Sequence, residues 1–419
     1  MPVRTGPSRT SPAQKVLSHP ESARLDPERA GSARTGFARI GSARIGPFAL
    51  DGAHVTEITD PVAWDALVNE HRGHPLQLWG WGELKSEGEW TARRLRITGP
   101  FDSAVAQILV RRLPLPFKAL AYVPRGPAVG VDGIGKATHR VAVMSAIVAW
   151  CRKNIGGVAV EFEPDWPEGT ELPGLVAIPA RNTILYPHTL VVDLTKPTDE
   201  LFKELRKTTR YEIRKAERDG VTVRRVTSAA ETRKVLDIYS ETAQRAGFPL
   251  HIDSYYLAIP ENFGDNSRLL AAYDPDGNIC SFTWSIVSNE TGFLLYGGQN
   301  QVGQHYRANP AVYWAAIKDA QELGCQRYDL NGLLGEGIAR YKKGFAKHEN
   351  MMIGTLDVPI HPALYAGWER ALPLAKRSLR TLRGINRETL AGINILDPVA
   401  SVQVVRDVLA AGKGGGPVS

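Results

Sequence analysis

The chain has few cysteines, no long apolar run and no recognisable nucleophile motif, and each shortage narrows what it can be. Cys151, Cys280 and Cys325 are odd in number and far apart. That spacing excludes a disulfide framework and a Cys-x-x-Cys metal site, and it points to a reducing compartment. The ten histidines form no HxxxH or HExxH pair, so no metal is expected. The longest strongly apolar stretch, "VAVMSAIVAW", falls well short of the roughly 20 residues a membrane span needs. Arginines scattered through the N-terminus, with no apolar core after them, do not read as a secretory signal. The expected location is the cytoplasm. A GxSxG elbow is missing, and no Cys/His arrangement suggests a covalent intermediate.

Excess charge is also missing from most of the chain. The net +7 over 419 residues is uneven. Residues 1–50 carry eight Lys/Arg against three Asp/Glu, whereas the remainder holds 43 against 41. An anionic partner must therefore be gripped by local clusters rather than by an overall field. In the first fifty residues arginine recurs at 24, 29, 34, 39 and 44. That five-residue period suits neither helix nor strand, and too little apolar surface accompanies it to offset ordering entropy. The segment reads as a disordered tail, with a nucleic-acid arm as the functional alternative.

From about residue 51, strand-like and helix-like segments alternate. "RRLRITG", "SAVAQILVRRL" and "ALAYVPRG" read as strands, "GKATHRVAVMSAIVAWCRKN" as a helix and "GGVAVEFEP" as a strand. A similar order recurs after about residue 190: "RLLAAYD", "NICSFTWSIVS" and "ETGFLLYGG", then "PAVYWAAIKDAQELG" as a helix and "RYDLNG" as a strand. The pattern predicts an α/β fold in two similar halves, residues 51–190 and 191–360. A helical appendage with a flexible end would follow over 361–419.

Two segments invite a chemical reading. "RYDLNGLLGEGIARYKKGF" spaces Gly332 and Gly337 like a P-loop, but Ile338 and Ala339 stand where lysine and hydroxyl are required. Its glycine order also fails the dinucleotide fingerprint. The stretch reads instead as a strand and a glycine-permitted turn, with the pair Tyr341–Lys342 held at the strand's end. "DELFKELRKTTRYEIRKAERDG" reads as one helix. Leu201, Phe202, Leu205, Ile213 and Ala216 form its packing face, and Lys203, Arg206, Lys207, Arg210, Arg214 and Arg218 form a separate cationic arc. Guanidinium predominates there, which suits oxyanions gripped in bidentate fashion.

"LWGWGELKSEGEW", "AYVPRGP", "RNTILYPHTLVVDL", "LRKTTRYEIRKAERDGV", "IYSETAQRAGF", "LLYGGQN", "NPAVYWAAIKDAQELGCQRYDLNG" and "GIARYKKGF" stand in a telling order. In order and spacing they resemble the FemA/FemB/FemX aminoacyl-tRNA-dependent peptidyltransferases, over Leu76 to Asp357. The resemblance implies two tandem GNAT-like acyltransferase domains with mixed sheets flanked by helices. No long charged helical pair interrupts the second half, so the armless, FemX-like plan without a coiled-coil arm is expected. The implied reaction moves an amino acid from aminoacyl-tRNA to an amine of a peptidoglycan precursor, either lipid II or a UDP-muramyl-peptide.

The resemblance also implies roles for particular residues. Lys85, after Trp79 and Trp81, matches a lysine on the precursor's diphosphate, and Arg210 matches its arginine partner. Lys342 matches a lysine that stabilises the transition state beside the aminoacyl ester, where the family usually carries Phe at the position of Tyr341. Trp81, Arg214, Tyr256, Tyr296 and Tyr341 complete the expected substrate-binding set, with packing as the alternative for the aromatics. Asp329 is a candidate catalytic group beside Lys342, with turn capping as its alternative. The chemistry itself, apart from the resemblance, leaves Asp329, Glu336, His305 and Tyr296 as candidate proton acceptors, with groups of the substrate as the alternative.

The chemistry is consistent with these roles. An aminoacyl ester is already activated, so amine attack needs positioning and oxyanion stabilisation, the latter worth about 2.7–4 kcal/mol from one donor. No cofactor is expected, because aminoacyl-tRNA is the co-substrate. The slot where acetyl-CoA enzymes cradle pyrophosphate reads N-x-x-G-x-H from Asn300, without the small last residue. Contact with the inner membrane face is a further implied partnership. The competing readings are the same chemistry on a natural-product amine, a CoA-dependent N-acyltransferase and a non-catalytic RNA binder.

Overall fold

The computed structural model describes residues 52–130, 137–180, 183–333 and 335–383. The expectations for the tail over 1–50 and the flexible end lie outside the described residues. The chain begins with β1 (His54–Glu57), α1 (Pro61–Glu70) and α2 (Trp79–Ser86). An antiparallel meander follows: β2 (Trp90–Thr98), β3 (Ala104–Arg112) and β4 (Ala119–Pro124). The chain then crosses through α3 (Ala137–Asn154) to β5 (Ala159–Glu163), which lies parallel to β4. Val143, Met144, Ile147, Val148 and Cys151 bury α3 against Leu95, Ile97, Ile108 and Phe162 of the sheet. Short strands β6 (Ile178–Pro179), β7 (His188–Thr189) and β8 (Val191–Asp193) lead out of this half.

The second half opens with α4 (Thr198–Glu204), α5 (Lys207–Arg218), β9 (Thr222–Arg225), α6 (Ala229–Ala246) and α7 (Asp253–Phe263). Helix α6 has the ends its sequence announces. The Ser228 hydroxyl accepts from Glu231 N, and Gly247 closes the helix at φ 73°. The meander is then repeated: β10 (Ser267–Tyr273), β11 (Ile279–Val287) and β12 (Thr291–Gln299) are antiparallel. After α8 (Gln301–His305) and α9 (Ala308–Glu322), β13 (Arg327–Asp329) returns parallel to β12. Three antiparallel strands, a buried crossover helix and a parallel strand thus occur twice. The remaining elements are α10 (Gly335–Lys342), β14 (Asn350–Met351), β15 (Leu356–Pro359) and α11 (Pro362–Arg383).

The larger sheet runs β1-β2-β3-β4-β5-β15-β6 and the other β8-β13-β12-β11-β10-β9. Strand β15 follows the whole second half yet pairs with β5 and β6 of the first. One apolar cluster also spans both halves, joining Trp64, Leu78 and Trp81 to Tyr256, Phe263, Trp284 and Phe293.

Two expectations about local structure need correction. The segment expected as one cationic helix is two, α4 and α5, because Leu205 and Arg206 are extended at ψ 148° and 143°. No proline or glycine marks the break. It is held from outside the helix: Arg210 Nη1 donates to the carbonyls of Lys203 and Leu205 at 2.6 Å each, and Arg206 N donates to Gly344 O at 2.9 Å. The Tyr341–Lys342 pair sits at the end of helix α10 rather than directly on a strand. Between the halves, "HTLVVDL" divides into two short strands, since β7 pairs with β14 and β8 with β13.

Candidate functional site

The end of β13 builds the more buried of two clusters. Asp329 is buried, and its Oδ1 accepts from the Thr189 hydroxyl and from Asn331 N at 2.7 Å. This Asx-type turn holds Asn331 at φ 62°, a left-handed conformation that asparagine tolerates. The carbonyls of Asn331 and Gly332 then meet the ammonium of Lys342, which donates to them at 3.3 and 2.8 Å. Only 8% of Lys342 is exposed. Burial lowers its pKa from the usual lysine range to about 8, against the opposing charge of Asp329. Asp329 in turn is pushed up by burial, partly offset by the charge of Arg125 and by the bond from Thr189.

Beside this cluster a half-buried ion pair crosses between the halves, Arg327 of β13 to Asp165 after β5. Burial alone would raise the Asp165 carboxyl, but Arg327 and Arg125 hold it down at about 2. His74 lies near this pair, and burial depresses its pKa well below the ordinary value. Its Nδ1 accepts from Leu76 N at 3.1 Å, as a neutral ring allows.

The second cluster centres on Lys85 in α2. Its ammonium donates to the Tyr255 hydroxyl at 3.0 Å and lies 4.7 and 5.1 Å from the ring centroids of Trp81 and Tyr255. Helix α2 is placed by a polar network: Arg94 donates to Gln107 Oε1, Trp79 O and Glu83, and Gln107 donates to Leu78 O. Gly80 allows close approach to α7, since a Cβ there would lie 2.3 Å from Asn262 O. Tyr255 on α7 is thereby brought beside Lys85.

A band of tyrosines runs from one cluster to the other. Tyr255 meets Tyr256 edge-on at 5.6 Å, Tyr256 meets Tyr296 at 5.3 Å, and Tyr239 touches Tyr256 and Tyr296. Tyr313, whose hydroxyl closes over Gly297, meets Tyr341 at 5.2 Å.

The structure brings together Lys342 with Asp329, and Lys85 with Trp81. It places other expected residues differently. Tyr256 is 2% exposed and its hydroxyl accepts from His251 N at 3.1 Å, so it belongs to the core. Tyr341 packs on Tyr313 and Phe345 with its hydroxyl buried, which drives its pKa well up. Tyr296 is half-buried in the tyrosine band. Arg210 caps α4 through Nη1, and Arg214 lies exposed over the Phe202 ring. Glu336 is exposed on α10 and His305 ends α8.

Sequence reasoning passed over Thr189 and Arg125 as site residues and read Tyr255 as packing. Thr189 gave no signal before its partner was known, and nothing in the sequence tied Tyr255 to Lys85. Arg125, in the quoted "AYVPRGP", was legible only as part of a motif. It is 3% exposed, donates to Tyr186 O at 3.3 Å and has a left-handed backbone at φ 48°.

The site holds no activated thiol. All three cysteines are buried, and burial pushes Cys151 and Cys280 up to about 12 and Cys325 to about 11. In the second half, the glycine of the N-x-x-G-x-H slot serves packing. Asn300 caps α8 by accepting from Gly303 N at 2.9 Å, and a Cβ on Gly303 would lie 2.2 Å from Cys280 O. The described residues contain no group of three or more His, Cys, Asp or Glu suited to a metal, and no helix long and apolar enough to cross a membrane.

Two repeats, each with a meander and a parallel return strand, make this a twin GNAT-like α/β fold without a coiled-coil arm among the described residues. The FemAB family model matches twice in tandem, at residues 169–275 and 269–371. The chain is 24% identical, over an alignment 421 positions long, to the lipid II:glycine glycyltransferase of Staphylococcus aureus strain USA300, covering 77% of this chain and 97% of that protein. The protein of the same name from strain NCTC 8325 matches equally. Among solved structures, the crystal structure of FemX aligns with a TM-score of 0.65 at 18% identity, over 75% of this chain and 99% of that one.

Proposed function

We propose that the protein is an aminoacyl-tRNA-dependent aminoacyltransferase. It joins an amino acid to an amine of a peptidoglycan precursor of the lipid II or UDP-muramyl-peptide type. The observation that carries this reading is Lys342, a buried ammonium fixed by two backbone carbonyls at the end of the second repeat's parallel strand. The names of the relatives support the acceptor class.

In the proposed step the acceptor nitrogen attacks the ester carbonyl carbon. A C–N bond forms, the bond to the ribose oxygen breaks, and the amine's proton ends on that oxygen. Two of the three Lys342 protons are engaged by carbonyls, and the third is the one an ester oxygen can accept as it gains charge. Asp329 acts as a positioning residue, because its Oδ1 is committed to Thr189 and Asn331 and shapes the turn that holds Lys342. Lys85, backed by Trp81 and Tyr255, and Arg210 through its remaining N–H groups would receive the diphosphate.

Purified protein given each charged tRNA, with lipid-linked or soluble precursor, should form a peptide-bonded product visible by mass spectrometry. The product should be abolished by RNase pretreatment of the donor. Activity that survives RNase and requires an acyl-CoA would refute the reading.

A further inference from the structure

The outer face of α5 is only partly used by the reaction above. At about 100° per residue, Arg210, Arg214, Lys207, Arg218, Tyr211 and Lys215 fall in that order on an arc of about 140°. The buried side chains Thr209, Ile213 and Ala216 occupy the opposite side. No acid lies within the arc. Glu212 is turned away to Arg307 at 3.4 Å, and Glu217 falls outside it. Lys215, at the edge, is paired with Asp219 at 2.6 Å. Lys207, Arg214 and Arg218 are exposed, with no salt-bridge partner among the described residues. Tyr211 stands among them, 59% exposed.

Where this helix sits is equally informative. Arg206, just before it, donates to Gly344 O, and a Cβ on Gly344 would lie 2.4 Å from Thr209 Oγ1. The helix that carries the face therefore begins beside the segment that holds Lys342, two residues before Gly344.

We infer that this face docks the RNA of the aminoacyl-tRNA. Lys207 and Arg218 would hold backbone phosphates and Tyr211 would stack on a base or ribose near the 3′ end. This rests on the proposed reaction and names the surface it uses for the donor. Guanidinium and ammonium groups interleaved with one aromatic ring suit a nucleic-acid backbone with accessible bases. An anionic membrane fits less well, because the helix's apolar side is buried in the protein and only Tyr211 is offered outward.

The test uses the full chain and fluorescein-labelled tRNA, uncharged, in anisotropy titrations across salt. Lys207→Ala/Arg218→Ala should weaken binding at least tenfold. It should also lower the salt slope of log K by about 0.7–0.9 for each cation removed. Tyr211→Ala should lose at least fivefold and Tyr211→Phe should restore it. Arg233→Ala/Lys234→Ala, exposed cations on α6, serve as the control and should leave binding unchanged. In transfer assays the KM for charged tRNA should rise while kcat at saturation holds.

If the wild-type protein transfers from charged tRNA but these variants keep its KM and RNA affinity, this inference fails and the proposed reaction stands. If RNA binding is lost in the variants while the wild type uses no charged tRNA, the surface stands and the reaction fails. Loss of binding to phosphatidylglycerol vesicles with RNA affinity intact would overturn the inference in favour of a membrane-facing surface.

Discussion

Lys342→Met separates the catalytic reading of this lysine from a structural one. In the folded protein its pKa falls from 10.5 to about 8. At 1.36 kcal/mol per unit, keeping it charged at neutral pH costs folding about 3 kcal/mol. The sign follows from proton binding. Between pH 8 and 10.5 the unfolded chain holds the proton and the folded one does not, so parent stability rises over that window. Methionine removes the cost but leaves two carbonyls without their donor, a loss of similar size. The variant should lie within about 2 kcal/mol of the parent at pH 7 in urea unfolding and should lack the parent's gain between pH 8 and 10.5. Transfer should nonetheless fall about 10²–10³-fold in kcat, the loss of one oxyanion donor.

The rate profile sharpens the same prediction. An acceptor amine with an ordinary pKa near 10.4 gains reactive form tenfold per pH unit, while above pH 8 the charged form of Lys342 declines equally fast. The parent's log kcat/KM should climb with unit slope to about pH 8 and then level off. The variant's should keep climbing from its lower level. Initial rates with radiolabelled donor from pH 6.5 to 9.5 decide it. A variant that still breaks near pH 8, or that loses less than tenfold, would refute the argument.

Further substitutions test the frame around the site. Arg327→Ala leaves the half-buried Asp165 carboxylate without its partner and should cost about 1–3 kcal/mol in urea unfolding. The depressed Asp165 pKa contributes stability that is complete above about pH 3.8 and is lost as pH falls towards 2; Asp165→Asn should flatten that acid limb. Gly303→Ala drives a methyl into Cys280 O and should lower stability by about 1–3 kcal/mol or more, read as Tm. Ser228→Ala removes the α6 cap and should cost about 1 kcal/mol.

The repeated order of strands and helices was legible because short apolar strand-like runs and long helix-like segments follow one another in the same order in both halves, and α6 carries its own caps. The break between α4 and α5 was not, since its cause is Arg210 folding back onto carbonyls five and seven residues earlier. The short helices α7 and α10 were missed for a related reason. Pro260 lies within the first and glycines open the second, so packing rather than propensity decides them. Lys342 was singled out through its resemblance to a family pattern. What holds it, the Asp329–Asn331 turn tied to Thr189, joins positions 140 residues apart. No local pattern encodes such a pairing. Tyr256 and Tyr341 show the converse, because aromatic identity does not tell a ligand contact from a core contact.

Strand β15 has a consequence for how such a protein can arise and be divided. Although the two repeats look like copies of one unit, the first sheet is completed only by chain that lies beyond the second. Cutting between them would leave β5 with a bare edge where Leu356 to Pro359 belongs, and a freed amino-terminal fragment would be prone to sticking to its own kind. The two repeats are therefore interlocked in one direction: the first is closed only by chain that follows the second, so the amino-terminal copy cannot be lent out alone.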